Sequence, residues 1–269
     1  MKKYPIVLAI SGTDPSGGAG QQADIKAISA TGGYAACAVT AVVVQNTTGV
    51  RDVFPVPAKT ISDQIAAVYD DIGASAVKIG MLNSSDVIRA VRESLLHYHA
   101  LNIVLDPVMV ATSGDRLIEE SAVNSLMTEL VPLARVITPN IPEAEILAGT
   151  KISSQHELPE VARRLSCGGR VSVMMKAGHL SDDVLTDIFY NAEEDRCTEL
   201  HSRRIYTRNT HGTGCTLSSA FASYLAQGYS LDDAAVAAKD YIAHAIESGA
   251  AYEIGHGHGP VDHFWMLGR

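Results

Sequence analysis

The stretch Asn209-Thr-His-Gly-Thr-Gly-Cys-Thr-Leu-Ser-Ser-Ala-Phe221 sets two glycines, a thiol and several hydroxyls at the start of an apolar run that reads as a helix. Gly212 and Gly214 let the backbone turn tightly, and a helix start offers free N–H groups and a positive dipole end, which together make an anion site. Placed in that first turn, Cys215 is expected to have its pKa lowered by the same field and to favour the thiolate. Thr213 lies between the two glycines and shares the turn. Taken alone, the peptide also reads as a plain glycine turn before a helix with a buried cysteine. Its spacing matches neither a P-loop nor the dinucleotide fingerprint GxGxxG followed by an acid.

Other chemistry-bearing residues stand at the ends of apolar runs. Ile6 to Ile10 empties into the loop Gly12 to Gly20, which contains Asp14 and Ala19 and leads to a helix over Gln22 to Ile28. Cys37 to Val44 reads as one buried strand ending at Gln45, whose amide can donate to and accept from a heteroaromatic ring or simply hold a turn. The strand Asn102 to Asp106 delivers a carboxylate suited to a metal or its water, although Asp before Pro is also a common turn. After the strand Val136 to Thr138, Pro142 fits the start of a helix, with Asn140 near its cap and Glu143 in its first turn. The same two residues can instead share a Mg²⁺ hydration shell. Lys176, at the end of the strand Val171 to Lys176, is suited to phosphate.

These residues must be positioned by strands and helices that alternate along the chain, which implies a mostly parallel sheet with helices on both faces. Further helices are expected around Ile61 to Ile72, Val87 to Leu95 with Ser84 or Ser85 as cap, Val123 to Leu130, and Val161 to Leu165 behind a Ser154/Glu157 capping box. A last one runs from Asp232 to Ser248. Asp187 to Tyr190 and Glu199 to Tyr206 alternate like antiparallel edge strands. The 269 residues, 46% hydrophobic, read as one domain over 1–269. A net charge of −9 argues against a nucleic-acid partner. The four cysteines form no CxxC pair, and no run reaches membrane-span length, which suits a cytoplasmic protein. The tail Gly255 to His263, with alternating His and Gly, reads as packed or solvated in preference to a metal site.

In a parallel sheet, Asp14, Gln45, Asp106, Asn140, Lys176 and Cys215 all fall at carboxyl ends of strands, where ligands bind. A ring-binding side, a cation side and an anion hole together describe phosphoryl transfer to a small hydroxylated ring.

The same segments resemble a known family. They are Ile10 to Asp24, Val39 through Gln45-Asn-Thr47, Lys78-Ile-Gly-Met-Leu82, Leu105-Asp-Pro-Val-Met109, Thr138-Pro-Asn-Ile-Pro-Glu143, Lys176-Ala-Gly-His179, His211-Gly-Thr-Gly-Cys-Thr216 and Gly257-His-Gly-Pro260. In order and over nearly the whole chain they are similar to the hydroxymethylpyrimidine and phosphomethylpyrimidine kinases of thiamine biosynthesis, members of the ribokinase-like superfamily. The resemblance implies a three-layer αβα fold, ATP and Mg²⁺ as cofactors, a homodimer, and stepwise phosphorylation of 4-amino-5-hydroxymethyl-2-methylpyrimidine to its mono- and diphosphate.

By position, the resemblance has Gln45 read the aminopyrimidine edge while Gly12, Asp14, Ala19, Met81 and Val108 shape the pocket. Glu143, with Asp106 and Thr138, serves the metal. Asn140, Lys176, Thr210 and His211 hold nucleotide phosphates, and the Gly212, Thr213, Gly214 and Cys215 amides form the anion hole. Val43-Val44 and Ala177 depart from the family's usual residues. Cys215 stands where sugar-kinase relatives carry an Asp base, so it is a candidate base for the first step. Rival readings are a pyridoxal kinase, a non-catalytic pyrimidine or nucleotide sensor and, on architecture alone, a nicotinamide oxidoreductase.

Overall fold

The computed structural model describes residues 3–109, 118–180 and 182–268. In chain order its elements are β1 (Ile6–Ser11), α1 (Gly20–Ala30), β2 (Tyr34–Val39), β3 (Ala41–Asn46), β4 (Gly49–Pro55), α2 (Ala58–Asp71), β5 (Ala76–Ile79), α3 (Ser85–His97), β6 (Ile103–Leu105), α4 (Glu120–Ser125), β7 (Val136–Ile137), α5 (Ile141–Ala148), α6 (Leu158–Leu165), β8 (Ser172–Met175), β9 (Val184–Asn191), β10 (Arg196–Arg203), α7 (Thr213–Ala226) and α8 (Leu231–Gly249). An eight-stranded sheet has the order β10-β9-β8-β7-β6-β5-β1-β2. From β2 to β8 its neighbours are parallel, and β9 and β10 finish the edge antiparallel.

The expected three layers follow from the two-residue alternation of side chains along each strand. Leu8, Ile10, Val77, Ile79, Leu105 and Val173 face α2 to α6 and form one core. Val7, Ala9, Ala76, Val104, Val136 and Phe189 face α1, α7 and α8 and form the other. Both faces of the parallel strands are thus covered, and the strands read as unbroken apolar runs. This is the expected three-layer αβα architecture.

One expected element is corrected. The run Cys37 to Val44 is not a single strand: β2 ends at Val39, and β3 pairs only with β4, in a separate two-stranded hairpin. The break falls at Thr40, buried at the sheet's end, whose N–H donates to the Ser11 carbonyl (3.0 Å) and whose hydroxyl donates to the Met81 carbonyl (2.8 Å). Beyond it, Ala41 and Val43 point inward while Val42 and Val44 are about half exposed. A run made only of Ala and Val hides that alternation from a reading of polarity.

Smaller differences are local. Val123 to Leu130 is α4 followed by a π turn, closed by a 3-10 turn that contains Pro132. Ser154 caps a 3-10 turn at the His156 N–H, and Glu157 accepts from Ser153, so the expected capping box does not form. The expected cap at Ser84 is present, and Ser230 caps α8.

Lys78 breaks the apolar alternation of β5 on the face towards α1 and α7. It is fully buried, and its Nζ lies 2.8 Å from Asp24 Oδ1 on α1. Asp24 also accepts from Ser11 Oγ on β1 (2.6 Å) and Ser219 Oγ on α7 (2.8 Å). Burial alone would push the Lys78 ammonium down, but Asp24, with Cys215 and Asp106 behind it, outweighs that and raises the pKa. Removing one partner strands a charge in the core. Lys78→Met is therefore expected to cost about 3–5 kcal/mol in urea unfolding, whereas Lys78→Met combined with Asp24→Leu should recover most of that loss. An equal loss in both variants would show that the pair matters only for shape.

Candidate active site

The carboxyl ends of the strands open into one cavity of about 680 Å³. Gly12, Ala19, Gln45, Met81, Asp106, Val108, Asn140, Glu143, Lys176, Thr210, His211, Gly212, Thr213, Gly214 and Cys215 all line it. Residues separated by up to two hundred positions meet there because parallel strands end on the same edge.

Two expected site residues stand behind the wall. Asp14 is fully buried and accepts from the backbone N–H groups of Ser16 (2.8 Å), Gly18 (3.1 Å) and Ala19 (2.7 Å), from the Ser16 hydroxyl, and from His211 Nε2 at 2.8 Å. Burial pushes its carboxyl up, but His211, Ser16 and the Ala19 amide outweigh that and hold it well below the usual carboxylate range. It acts on the pocket by folding the glycine loop. Thr138, also fully buried, donates its hydroxyl to Asp106 Oδ1 at 2.9 Å. It orients that carboxylate and is not itself in the wall.

At the ring end, Ala41, Val43 and Met81 form a small apolar cluster with Val108 packed against it. A Cβ on Gly12 would meet Met81 Sδ at 3.3 Å and Val43 Cγ2 at 3.5 Å, so this floor is tight. Of the two unusual valines, Val43 lines the cavity and Val44 faces away. Ala177 is buried, and its N–H donates to Asp187 Oδ1 (2.7 Å).

At the anion end, Lys176 Nζ lies 3.0 Å from Asp106 Oδ1. Any Cβ on Gly214 would sit 3.2 Å from that Nζ and 3.3 Å from Asp106 Oδ2, so the helix start abuts the ion pair. Gly212 takes a left-handed conformation (φ 78°), and a Cβ there would lie 1.8 Å from the Gly18 carbonyl oxygen. This is the close approach of the two glycine-rich turns. The Thr213 N–H turns back to the Thr210 carbonyl at 3.3 Å. Gly214 and Cys215 then supply the first-turn amides that a helix leaves without intrahelical acceptors.

Asn140 and Glu143 form a reciprocal capping box. The Glu143 N–H donates to Asn140 Oδ1 and the Asn140 N–H to Glu143 Oε2, both at 2.9 Å. The box also fixes Glu143 in the cavity wall, where burial pushes its carboxyl up to about 7, Lys176 pulling it down and Asp106 pushing it further up. For Asp106, burial is outweighed by Lys176 and Lys78, which lower its pKa.

Cys215 corrects the expectation of a lowered pKa. Burial raises its thiol, Lys78 opposes, and the carboxylates of Asp24 and Asp106 add to the rise, to about 11. Desolvation and two nearby anions outweigh Lys78 and the Gly20 N–H. Lys78 itself, the buried cation behind the thiol, went unread in the sequence, although a lysine inside an apolar strand is the signal that marks it. Lys239 and Asp187, paired at 2.6 Å, and Arg204, which donates to the Gly178 (3.0 Å) and Asp182 (2.9 Å) carbonyls, also line the far end or its frame. They carry no motif that a sequence reading could use.

Fold and site together define a ribokinase-like small-molecule kinase. Residues 14–262 match the family "Phosphomethylpyrimidine kinase", and the chain belongs to that family. It is 45% identical over 260 residues to the hydroxymethylpyrimidine/phosphomethylpyrimidine kinase of Rhizobium meliloti, covering 96% of this chain and 97% of that protein. Among solved structures, phosphomethylpyrimidine kinase from Clostridium difficile is 41% identical with a TM-score of 0.79, covering 90% of this chain and 99% of the other. An ADP complex of Bacillus subtilis pyridoxal kinase superposes with a TM-score of 0.90 at 33% identity over the full length of both.

A neutral thiol has a measurable signature. Alkylation of Cys215 by iodoacetamide, followed by mass spectrometry of the labelled peptide, is expected to rise with pH without levelling off below about pH 10, since only the thiolate reacts. A plateau already reached by about pH 8 would mean that the helix field wins after all.

Proposed function

We propose that this chain transfers the γ-phosphoryl group of ATP to the hydroxymethyl oxygen of 4-amino-5-hydroxymethyl-2-methylpyrimidine, and then a second phosphoryl group to the monophosphate. The observation that carries this reading is the placement in one cavity of a ring-sized apolar floor beside Gln45 and, at the other end, the Lys176–Asp106 pair against the α7 amides. Catalysis of phosphoryl transfer is mostly positioning and charge stabilisation, and these are the parts it needs.

In this reading Gln45 pairs with the amino group and ring nitrogen, and Gly12, Ala19, Val43, Met81 and Val108 enclose the ring. Lys176, Asn140, Thr210 and His211 hold phosphate oxygens. The Gly214 and Cys215 amides stabilise charge on the transferring group.

Glu143 and Asp106 are the residues that would hold Mg²⁺. Among the described residues no cluster of three or more His, Cys, Asp or Glu could cage a metal alone. Two carboxylates completed by phosphates and water are the donor set Mg²⁺ favours, and a buried carboxyl raised to about 7 is one that a cation would stabilise as the anion. When bound, Mg²⁺ would neutralise charge on the phosphates.

The raised thiol of Cys215 favours a contact role over a resident thiolate base. A homodimer and a cytoplasmic location belong to the same proposal. Among the described residues, no helix is long and apolar enough to cross a membrane.

Pyridoxal phosphorylation is the second reading, favoured by the full-length superposition on a pyridoxal kinase. Fold alone does not separate the two. Incubation with ATP, Mg²⁺ and either acceptor, with separation of mono- and diphosphates, is expected to yield the pyrimidine diphosphate. Turnover of pyridoxal alone would reverse the assignment, and no ADP release with either acceptor would leave a binding protein.

Cys215→Ser extends the same assay. A contact role predicts similar losses in both steps, of less than about tenfold, whereas loss of a general base would slow the first step alone by about 10²–10⁴.

A further inference from the structure

The segment that follows α8 is bonded to two parts of the site at once. Its His258 N–H donates to the Thr47 carbonyl (2.8 Å) and its Gly257 N–H to Thr47 Oγ1 (3.2 Å), at the turn of the β3–β4 hairpin. Two residues on, the Gly259 carbonyl accepts from the His211 N–H (3.0 Å), and Pro260 makes a parallel bridge with His211. His211 borders the anion hole and bonds Asp14 in the glycine loop. The segment is itself held at the Tyr252 carbonyl by Asn209 Nδ2 (2.6 Å) and at the His256 carbonyl by Arg208 (3.0 Å).

The fit leaves no room for side chains. A Cβ on Gly257 would lie 1.8 Å from the Thr47 oxygen, and one on Gly259 would lie 2.1 Å from Asn209 Oδ1. Gly257 is not in the left-handed region, so its lack of a side chain serves this approach and not a strained backbone.

The hairpin needs such a support. A two-stranded ribbon is marginal by itself in water. At its base it is tied by Thr13, whose N–H donates to the Ala41 carbonyl (2.9 Å) and whose hydroxyl accepts from the Val43 N–H (3.1 Å). At its turn Thr47, two residues beyond Gln45, is bonded by the segment 257–258. Anything that moves Thr47 moves Gln45 relative to the α7 amides.

We infer that residues 255–260 form a strap that sets the distance between the ring-reading hairpin and the anion hole, with Gly257, Gly259 and Thr47 as positioning residues for acceptor binding. This rests on the functional reading above. Orientation to within about 1 Å can govern phosphoryl transfer by about 10²-fold, so a displaced hairpin should affect acceptor use far more than nucleotide use.

The test is Gly257→Ala in the full-length chain. KM for the pyrimidine is expected to rise about tenfold or more and kcat to fall, while KM for ATP changes less than about twofold. A loosened hairpin also admits water as acceptor. Its oxygen then attacks the γ-phosphorus, the bond to the ADP oxygen breaks and the proton leaves to solvent, so ADP formed per phosphoryl group transferred to pyrimidine should rise above one. Glu253→Ala, exposed and just before the strap, should leave all of these unchanged.

If Gly257→Ala does not fold, Thr47→Val, which removes only the Oγ1 acceptor, should shift the pyrimidine KM in the same direction by about threefold, as loss of one hydrogen bond predicts. Parameters for acceptor and nucleotide moving together, or ADP yield staying at one per phosphoryl group transferred in whichever variant folds, would overturn the strap. Should wild-type protein use only pyridoxal, the functional reading fails, and the same comparisons with pyridoxal still decide the strap.

Discussion

The buried Asp24 carboxylate is the point on which the site depends. It binds Lys78 from β5, Ser11 from β1 and Ser219 from α7, and so joins the helix that forms the anion hole to two central strands and to α1. A charge at that depth is tolerated only when every lone pair is used, and such a network resists displacement because any shift leaves a charge unpaired. Cys215 lies one turn before Ser219 on α7. The height of the helix start relative to the sheet is thus set by an ion pair that touches no ligand.

Above that pair the site balances charge closely. Asp106 is shared between Lys176 and the Thr138 hydroxyl, with Lys78 behind it, and is held ionised. Glu143, with less compensation, is raised to about 7. The same burial that raises Glu143 raises the Cys215 thiol, since both would place a negative charge in a recess already containing carboxylates. A bound anion and its cation would change both balances, which is how one arrangement of fixed charges can bind nucleotide and still leave the thiol neutral at rest.

The acceptor end is built on different terms. Its floor is apolar; Gln45, the ring reader in the proposed function, sits on a ribbon outside the main sheet whose turn is tied through the C-terminal glycines to the loop before α7. In the proposed function the sheet ends hold the phosphates, and a small ribbon tied at its base and at its turn holds the ring. Pyridoxal and phosphomethylpyrimidine kinases share the fold, and an arrangement of this kind leaves acceptor choice to a few side chains around Gln45, Val43 and Met81.

Much of this was legible in the residues alone. Unbroken apolar strands alternating with amphipathic helices implied a covered parallel sheet, and in such a sheet the polar residues ending each strand must converge; thus Asp106, Asn140, Glu143, Lys176 and Gly214 were found from local pattern, as was the place of Asn140 at a helix cap, whereas Gln45 reaches the same cavity from a hairpin outside that sheet. Tertiary structure alone decided the rest. The break at Thr40 depends on acceptors at Ser11 and Met81, the withdrawal of Asp14 and Thr138 behind the wall depends on His211 and Asp106, and the neutral thiol of Cys215 depends on desolvation and on the carboxylates of Asp24 on α1 and of Asp106 just after β6. Local pattern is set by backbone geometry and hydrophobic periodicity, which neighbours in sequence share. Burial and charge environment are set by groups remote in the chain, and they exist only once it has folded.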